Sequence, residues 1–70
     1  MSATASEPAV HAVGRFLRAL NEVPWQPCDE ARADLLRLKH AAFSAMAREA
    51  RERGDAEAEQ LARWAAEAAT

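Results

Sequence analysis

The fold of this chain is decided by residues 41–69, which read AAFSAMAREARERGDAEAEQLARWAAEAA. Gly54 is a natural residue to end a helix because it adopts a left-handed backbone without a steric penalty, and Asp55 can cap the helix that follows. Two helices joined by so short a turn pack side by side in opposite directions. The stretch therefore predicts an antiparallel helical hairpin at the C-terminal end of the chain.

The helix before this turn is predicted to run from about residue 27 to residue 53. Pro27 suits a first helical position, and Asp29 and Glu30 complement the positive end of the helix dipole. At about 100° per residue, one broad arc collects eight apolar residues: Leu35, Leu36, Leu38, Ala42, Phe43, Met46, Ala47 and Ala50. Lys39 lies inside the arc and must extend its ammonium group outward or meet an acid. The arc is wide enough to cover two neighbouring helices.

The third helix is predicted over residues 55–69, with five apolar residues on its buried stripe: Ala58, Leu61, Trp64, Ala65 and Ala68. Alanine on the facing stripes would let the backbones of the second and third helices approach closely. Trp64 is expected to supply bulk to the packing of this hairpin, because alanine-rich helices leave volume to fill.

The first helix is predicted over residues 8–23. Ser6 is a suitable N-cap, Pro8 suits the first turn, and Pro24 ends the helix because the residue before a proline is pushed out of the helical region. Spacings of three and four place six apolar residues on one face: Val10, Val13, Phe16, Leu17, Leu20 and Val23. Residues 1–7 are small and polar apart from Met1, and are predicted to be a flexible tail.

These segments predict an all-α protein, a small three-helix bundle that ends in the antiparallel hairpin, with residues 8–70 forming a single domain. Glycine occurs twice and tyrosine is absent, so a sheet would have little to build with. A core within 70 residues is only marginally sufficient. The single cysteine, Cys28, excludes an intramolecular disulfide. We therefore expect the chain to borrow stability from a protein partner or from self-association.

The N-terminus shows no secretory signal, and no apolar run approaches the ~18 residues that cross a bilayer. The expected location is the cytoplasm, with no membrane partner. Alanine is the commonest residue and arginine outnumbers lysine by eight to one. Both biases are typical of high-GC genomes, and they favour a bacterial origin.

The residues that could carry chemistry are few. His11, Cys28 and His40 have no ligand spacing of the Cys-x-x-Cys or His-x-x-x-His kind, so we expect no metal site and no cofactor. Ser44 follows His40 by four residues, but no carboxylate or oxyanion donor completes a triad. Cys28 lies near a helix N-terminus, so two interpretations of it stay open: a reactive thiol or a structural cysteine. No catalytic residue is assigned, and the chain is not expected to be an enzyme.

A polar ridge lies on the second helix opposite its apolar arc, at spacings of three and four: Arg37, His40, Ser44, Arg48 and Arg51. It could bind phosphates or an acidic partner. The formal net charge of −2 favours a solvated polar face. The alternative is a small helical DNA-binding regulator or antitoxin that uses this ridge, with nucleic acid as its partner.

The function that these patterns favour is a non-catalytic protein-interaction module, acting as an accessory or regulatory subunit and open to forming a homo-oligomer. The candidate interface residues are large and apolar: Trp25, Leu36, Phe43, Met46 and Trp64. Trp25 lies between Pro24 and Pro27 in a short, stiff connection. It is either a lid over the core or an anchor for a partner.

Overall fold

Three α-helices make up most of residues 7–69, the part of the chain that this computed structural model describes. They are α1 (Ala9–Glu22), α2 (Asp29–Arg53) and α3 (Ala56–Ala68), and no strand occurs among the described residues. The prediction of a small all-helical protein with three helices is confirmed. The predicted helix bounds differ from these by two residues at most.

The differences at the helix ends arise where a residue caps a helix instead of joining it. The N-cap of α2 is Cys28, whose sulfur accepts a hydrogen bond from the Ala31 amide at 3.5 Å, so Pro27 stays in the connection. Gly54 ends α2 with φ of 78°, as expected for a left-handed C-cap. Asp55 then caps α3, because its carboxylate accepts from the Ala58 amide at 3.1 Å.

The predicted tail and the Ser6 cap lie largely outside the described residues, which begin at Glu7. Glu7 itself is held in place. Its carboxylate pairs with Arg15, and its carbonyl oxygen accepts a hydrogen bond from Arg48 Nη2 at 2.7 Å. The residue that precedes α1 is Pro8, which makes no side-chain capping bond.

The start of α1 is instead capped by a side chain from α2. The Ala9 amide donates to Glu49 Oε2 at 2.7 Å, across forty residues of sequence. The first amides of a helix have no acceptor within the helix, so Glu49 supplies what a local capping side chain would otherwise provide. Arg48, the residue before Glu49, donates to the Glu7 carbonyl oxygen. These two contacts together fix the start of α1 against the last part of α2.

Helix α2 lies between the other two helices. α1 and α3 each pack on α2, and no Cα atom of α1 lies within 8 Å of a Cα atom of α3. Val23, just after α1, lies beside Leu35 in the first part of α2. Ala50, near the end of α2, borders the same cleft as Ala62 of α3. The broad apolar arc predicted for the second helix is thus shared between two neighbours.

The side chains that the helices bury are all alanines. Nine of them are 8% exposed or less: Ala9, Ala12, Ala42, Ala45, Ala47, Ala50, Ala62, Ala66 and Ala69. No larger side chain among residues 7–69 is buried to this degree, although Val13 and Phe16 pack partly buried against the cluster between α1 and α2. Each alanine allows close approach of two backbones but removes little apolar surface from water.

The predicted stripe of α3 is wrong. Ala62 and Ala66 are buried, whereas Leu61 is 64% exposed and Trp64 is 70% exposed. Trp64 therefore does not fill the core. Leu61 and Ala62 are about 100° apart on the helix, so a small rotation decides which of them meets α2. The alanines meet it because side chains of one carbon pack closely, without the gap that a bulky residue would leave between two backbones.

The first helix shows the same shift. Ala9 and Ala12 are buried, whereas Val10 is 73% exposed and Leu17 is 53% exposed. Phe16 is partly buried, as its predicted position requires. The predicted stripe of α1 is thus divided, because Val13 and Phe16 join the contact with α2 whereas Val10 and Leu17 stay outside it.

The two glycines should respond in opposite directions to replacement by alanine. Gly14→Ala is expected to raise the free energy of unfolding by about 0.5–1 kcal/mol, because an added Cβ meets no atom within 4 Å and alanine favours a helix. Gly54→Ala is expected to lower it by about 1–2 kcal/mol, because its φ is +78°. Urea denaturation measures both changes. The same sign at both positions would contradict the assigned C-cap.

The cap supplied by Glu49 should contribute measurably to stability. Glu49→Ala is expected to lower the free energy of unfolding by about 1–2 kcal/mol, because the Ala9 amide loses its acceptor in a partly buried position. Glu52→Ala is the matched control on the exposed side of the same helix and should change stability by less than about 0.5 kcal/mol. Equal losses in urea denaturation would show that the bond from Ala9 contributes nothing specific.

Candidate protein-interaction surfaces

The large apolar side chains that the alanine contacts leave outside are spread over all three helices and the first connection. Eight are exposed: Val10, Leu17, Leu20, Trp25, Leu36, Met46, Leu61 and Trp64. Apolar residues are exposed singly on many proteins, and here eight of them lie within 63 described residues. These side chains define the candidate interaction surfaces.

Four of the five predicted interface residues belong to this exposed set. Trp25 is 91% exposed, which excludes its role as a lid over the core, and its role as an anchor for a partner stays a prediction. Leu36 and Met46 are exposed by a little more than a third, and Trp64 is exposed on α3. Phe43 is partly buried on α2.

The structure does not bring the predicted interface residues into one patch. Met46 borders a cleft between the three helices, and Leu36 lines a separate groove of about 520 Å³ with Ala69. Trp64 lies with Leu61 on the outer side of α3. The predicted set is therefore distributed over several distinct surfaces.

Sequence reasoning missed four exposed residues: Val10, Leu17, Leu20 and Leu61. All were assigned to buried stripes because they are the most hydrophobic residues of their helices. A signal for the alternative was present. Ala9 and Ala12 are three residues apart, and each lies one position before a member of the predicted stripe, Val10 and Val13. Each of α1 and α3 thus carries two adjacent apolar stripes, one small and one large.

The polar ridge predicted on α2 is occupied by contacts within the protein. Arg48 donates to the Glu7 carbonyl, and Arg37 pairs with Asp34. His40 Nδ1 is 2.9 Å from the carbonyl oxygen of Ala66 on α3. A carbonyl can only accept, so Nδ1 carries the proton.

Two members of the ridge remain. The Ser44 hydroxyl lies 3.4 Å from His40 Nε2, to which it can donate while His40 is neutral. Arg51 is exposed and makes no ion pair within residues 7–69. Two residues of the ridge, Arg48 and His40, thus hold α2 to Glu7 before α1 and to α3. The anion-binding role predicted for it stays a prediction.

The residues considered as nucleophiles or metal ligands either make structural contacts or lie apart from one another. Cys28 is an exposed free thiol that caps α2. Between Glu7 and Ala69, no three His, Cys, Asp or Glu side chains converge closely enough to hold a metal ion. Within the same segment, no helix combines the length and apolarity needed to cross a membrane.

No protein-family profile, curated protein or solved structure matches the chain.

The placement of Trp64 on the surface can be tested by stability alone. Trp64→Ala is expected to change the free energy of unfolding by less than about 0.5 kcal/mol, because little of the indole is buried. Ala62→Leu should cost about 1–3 kcal/mol, since the larger side chain forces α2 and α3 apart. A loss of about 3–5 kcal/mol for Trp64→Ala, as for a buried aromatic, would contradict the exposed placement.

Proposed function

We propose that this protein is a non-catalytic interaction module, an accessory or regulatory subunit that binds another protein through the apolar side chains of its helices. One observation carries the proposal: among residues 7–69 the most buried side chains are all alanines, and eight larger apolar residues stay exposed. A protein that acted alone would gain stability by burying those residues. Their exposure is useful to a protein whose partner buries them.

The binding element in this proposal is the pair of α2 and α3, arranged as an antiparallel hairpin, with α1 packed on the other side of α2 to complete a small bundle. The antiparallel arrangement is supported by two contacts at different levels. His40, midway along α2, meets Ala66 near the end of α3. Ala50, near the end of α2, borders a cleft with Ala58 near the start of α3.

The composition of the exposed set is typical of an interface. Tryptophan is enriched among the residues that dominate binding energies, and both tryptophans of this chain are at least 70% exposed. Trp25 is held between two prolines, so little conformational freedom of its backbone is lost when a partner binds. Leu61 beside Trp64 adds an aliphatic contact on α3.

A non-catalytic role is supported by how the polar side chains are used. His40 and Ser44 form a pair, but the other ring nitrogen of His40 meets a backbone carbonyl and no carboxylate orients the imidazole. The groove that contains His40 is otherwise lined by Ala33, Leu36, Arg37 and Ala69, so no carboxylate borders it to pair with the imidazole in acid–base chemistry.

Site-specific photo-crosslinking in the cells that naturally produce the protein tests the proposal. A benzophenone amino acid is placed at Leu17, at Leu61, or at Arg51 as an exposed polar control. An apolar interface predicts one adduct of the same mass from positions 17 and 61 and none from position 51. Absence of any adduct at the two apolar positions, or equal adducts at all three, would contradict an interaction module of this kind.

A further inference from the structure

The two sides of α2 that face neither α1 nor α3 differ in chemistry. α1 meets α2 at Ala42 and Ala45, and α3 meets it near Ala50. At about 100° per residue, Met46 falls between these two contact lines on one side and Arg48 on the other. Arg48 is bonded to Glu7, whereas Met46 borders a cleft of about 130 Å³ with residues of all three helices. We call the side that contains Met46 the open face.

The walls of the open face are apolar. Ala9 of α1 borders the cleft, and Leu17 and Leu20 follow it at helical spacings on the same side. The opposite side of α1 carries Glu22, which lines a different groove near Arg37. On α3, Ala58 and Ala62 border the cleft and form the other wall, and Leu61 lies at the outer edge of this wall, about 60° around the helix from Ala58. Leu17, Leu20 and Leu61 are all exposed, at 48–64%.

The floor of the open face carries a row of cations. Arg32, Lys39 and Arg53 precede or follow Met46 at intervals of seven residues, so they form one line along α2. Lys39 is partly buried, and no carboxylate of residues 7–69 lies within 4.0 Å of Lys39 or Arg32.

The carboxylates near the open face lie at its other end and are engaged. The nearest carboxylate to Arg53 is that of Asp55, at 3.9 Å, and Glu49 accepts the bond from Ala9. The half of the face around Lys39 therefore combines apolar walls with positive charge that nothing in the described structure neutralises.

We infer that the open face receives an amphipathic helix of a partner protein whose apolar stripe is bordered by carboxylates. This inference rests on the proposed function and names the chemistry of the partner. Leucine-like side chains of that helix cover Leu17, Met46 and Leu61, and its acidic residues meet Arg32 and Lys39. The 25 residues of α2 span about 37 Å, which a partner helix of five to seven turns matches.

A second copy of this chain is a poorer occupant of the same face. Two open faces stacked on each other place the cationic rows of two α2 helices together, and like charges there oppose association. An acidic helix instead neutralises the ammonium group of Lys39 as binding removes water from it. Charge thus separates the two occupants, although both would cover the apolar walls.

Two designed helical peptides of three heptads (about 21 residues) test the inference with the full-length protein. Both carry leucine at the a and d positions, and the flanking positions are glutamate in one peptide and lysine in the other. Fluorescence anisotropy at low salt is expected to give a Kd about tenfold lower for the glutamate peptide, since two or three ion pairs of ordinary surface strength separate the two peptides. The double variant Arg32→Glu, Lys39→Glu should reverse this preference, whereas Arg51→Glu, away from the open face, should preserve it.

The inference is overturned if both peptides bind with Kd values within about twofold of each other, if neither binds, or if the charge-reversed variant keeps the original preference. It is also wrong if light scattering finds a dimer that Leu17→Asp converts to a monomer, because a second copy then covers the face. Circular dichroism confirms that each variant keeps its helices. If positions 17 and 61 give crosslinks but the two peptides bind without a charge preference, only the acidic helix is refuted. If these positions give no crosslinks, the proposed function itself is refuted.

Discussion

Contact between helices through alanine determines how every other side chain of this protein is used. The nine most buried residues are alanines, and they lie where α2 meets α1 and α3. A one-carbon side chain lets two backbones come close, and it leaves no room between them for a leucine or a tryptophan. The larger apolar residues are therefore either partly buried beside the alanines, as Val13 and Phe16 are, or exposed, as Leu61 and Trp64 are.

Close packing of small residues removes little apolar surface from water, so polar contacts between helices carry a larger share of the specificity. Glu49 caps α1 through the Ala9 amide, and Arg48 holds the Glu7 carbonyl. His40 reaches the carbonyl oxygen of Ala66 on α3. From the sequence of the second helix alone, Arg48 and His40 were predicted to belong to a binding ridge. In the folded chain they position α1 and α3 on α2.

The proposed function follows from the same constraint. A module whose own contacts bury only alanine keeps its leucines and tryptophans for another surface, and most of the binding energy of interfaces comes from such residues. The side of α2 that contains Met46 adds a second property, because Lys39 is partly buried there and no carboxylate of the described residues lies within 4.0 Å of it. Apolar residues set how strongly a partner is held, and the cations set which partner is preferred.

The sequence by itself determined that the chain forms three helices and where each one ends. Pro24, the capping carboxylate of Asp55 and the left-handed Gly54 act on their nearest neighbours, so their effect is visible without the rest of the protein, whereas the cap from Cys28 was not predicted. The exposed position of Trp25 was one of two alternatives that the sequence offered, since two prolines keep its backbone out of a helix.

Only the tertiary structure decided which side of each helix is buried. Leu61 and Ala62 are adjacent in sequence and about 100° apart on α3, and both belong to apolar stripes with helical spacing. Hydrophobicity favours burial of the leucine, but the choice depends on how closely α2 approaches, which is a property of two helices together. The candidate surfaces were therefore predicted in kind and misplaced in detail, because a stripe of alanines competes with a stripe of larger residues only when a second helix is present to pack against it.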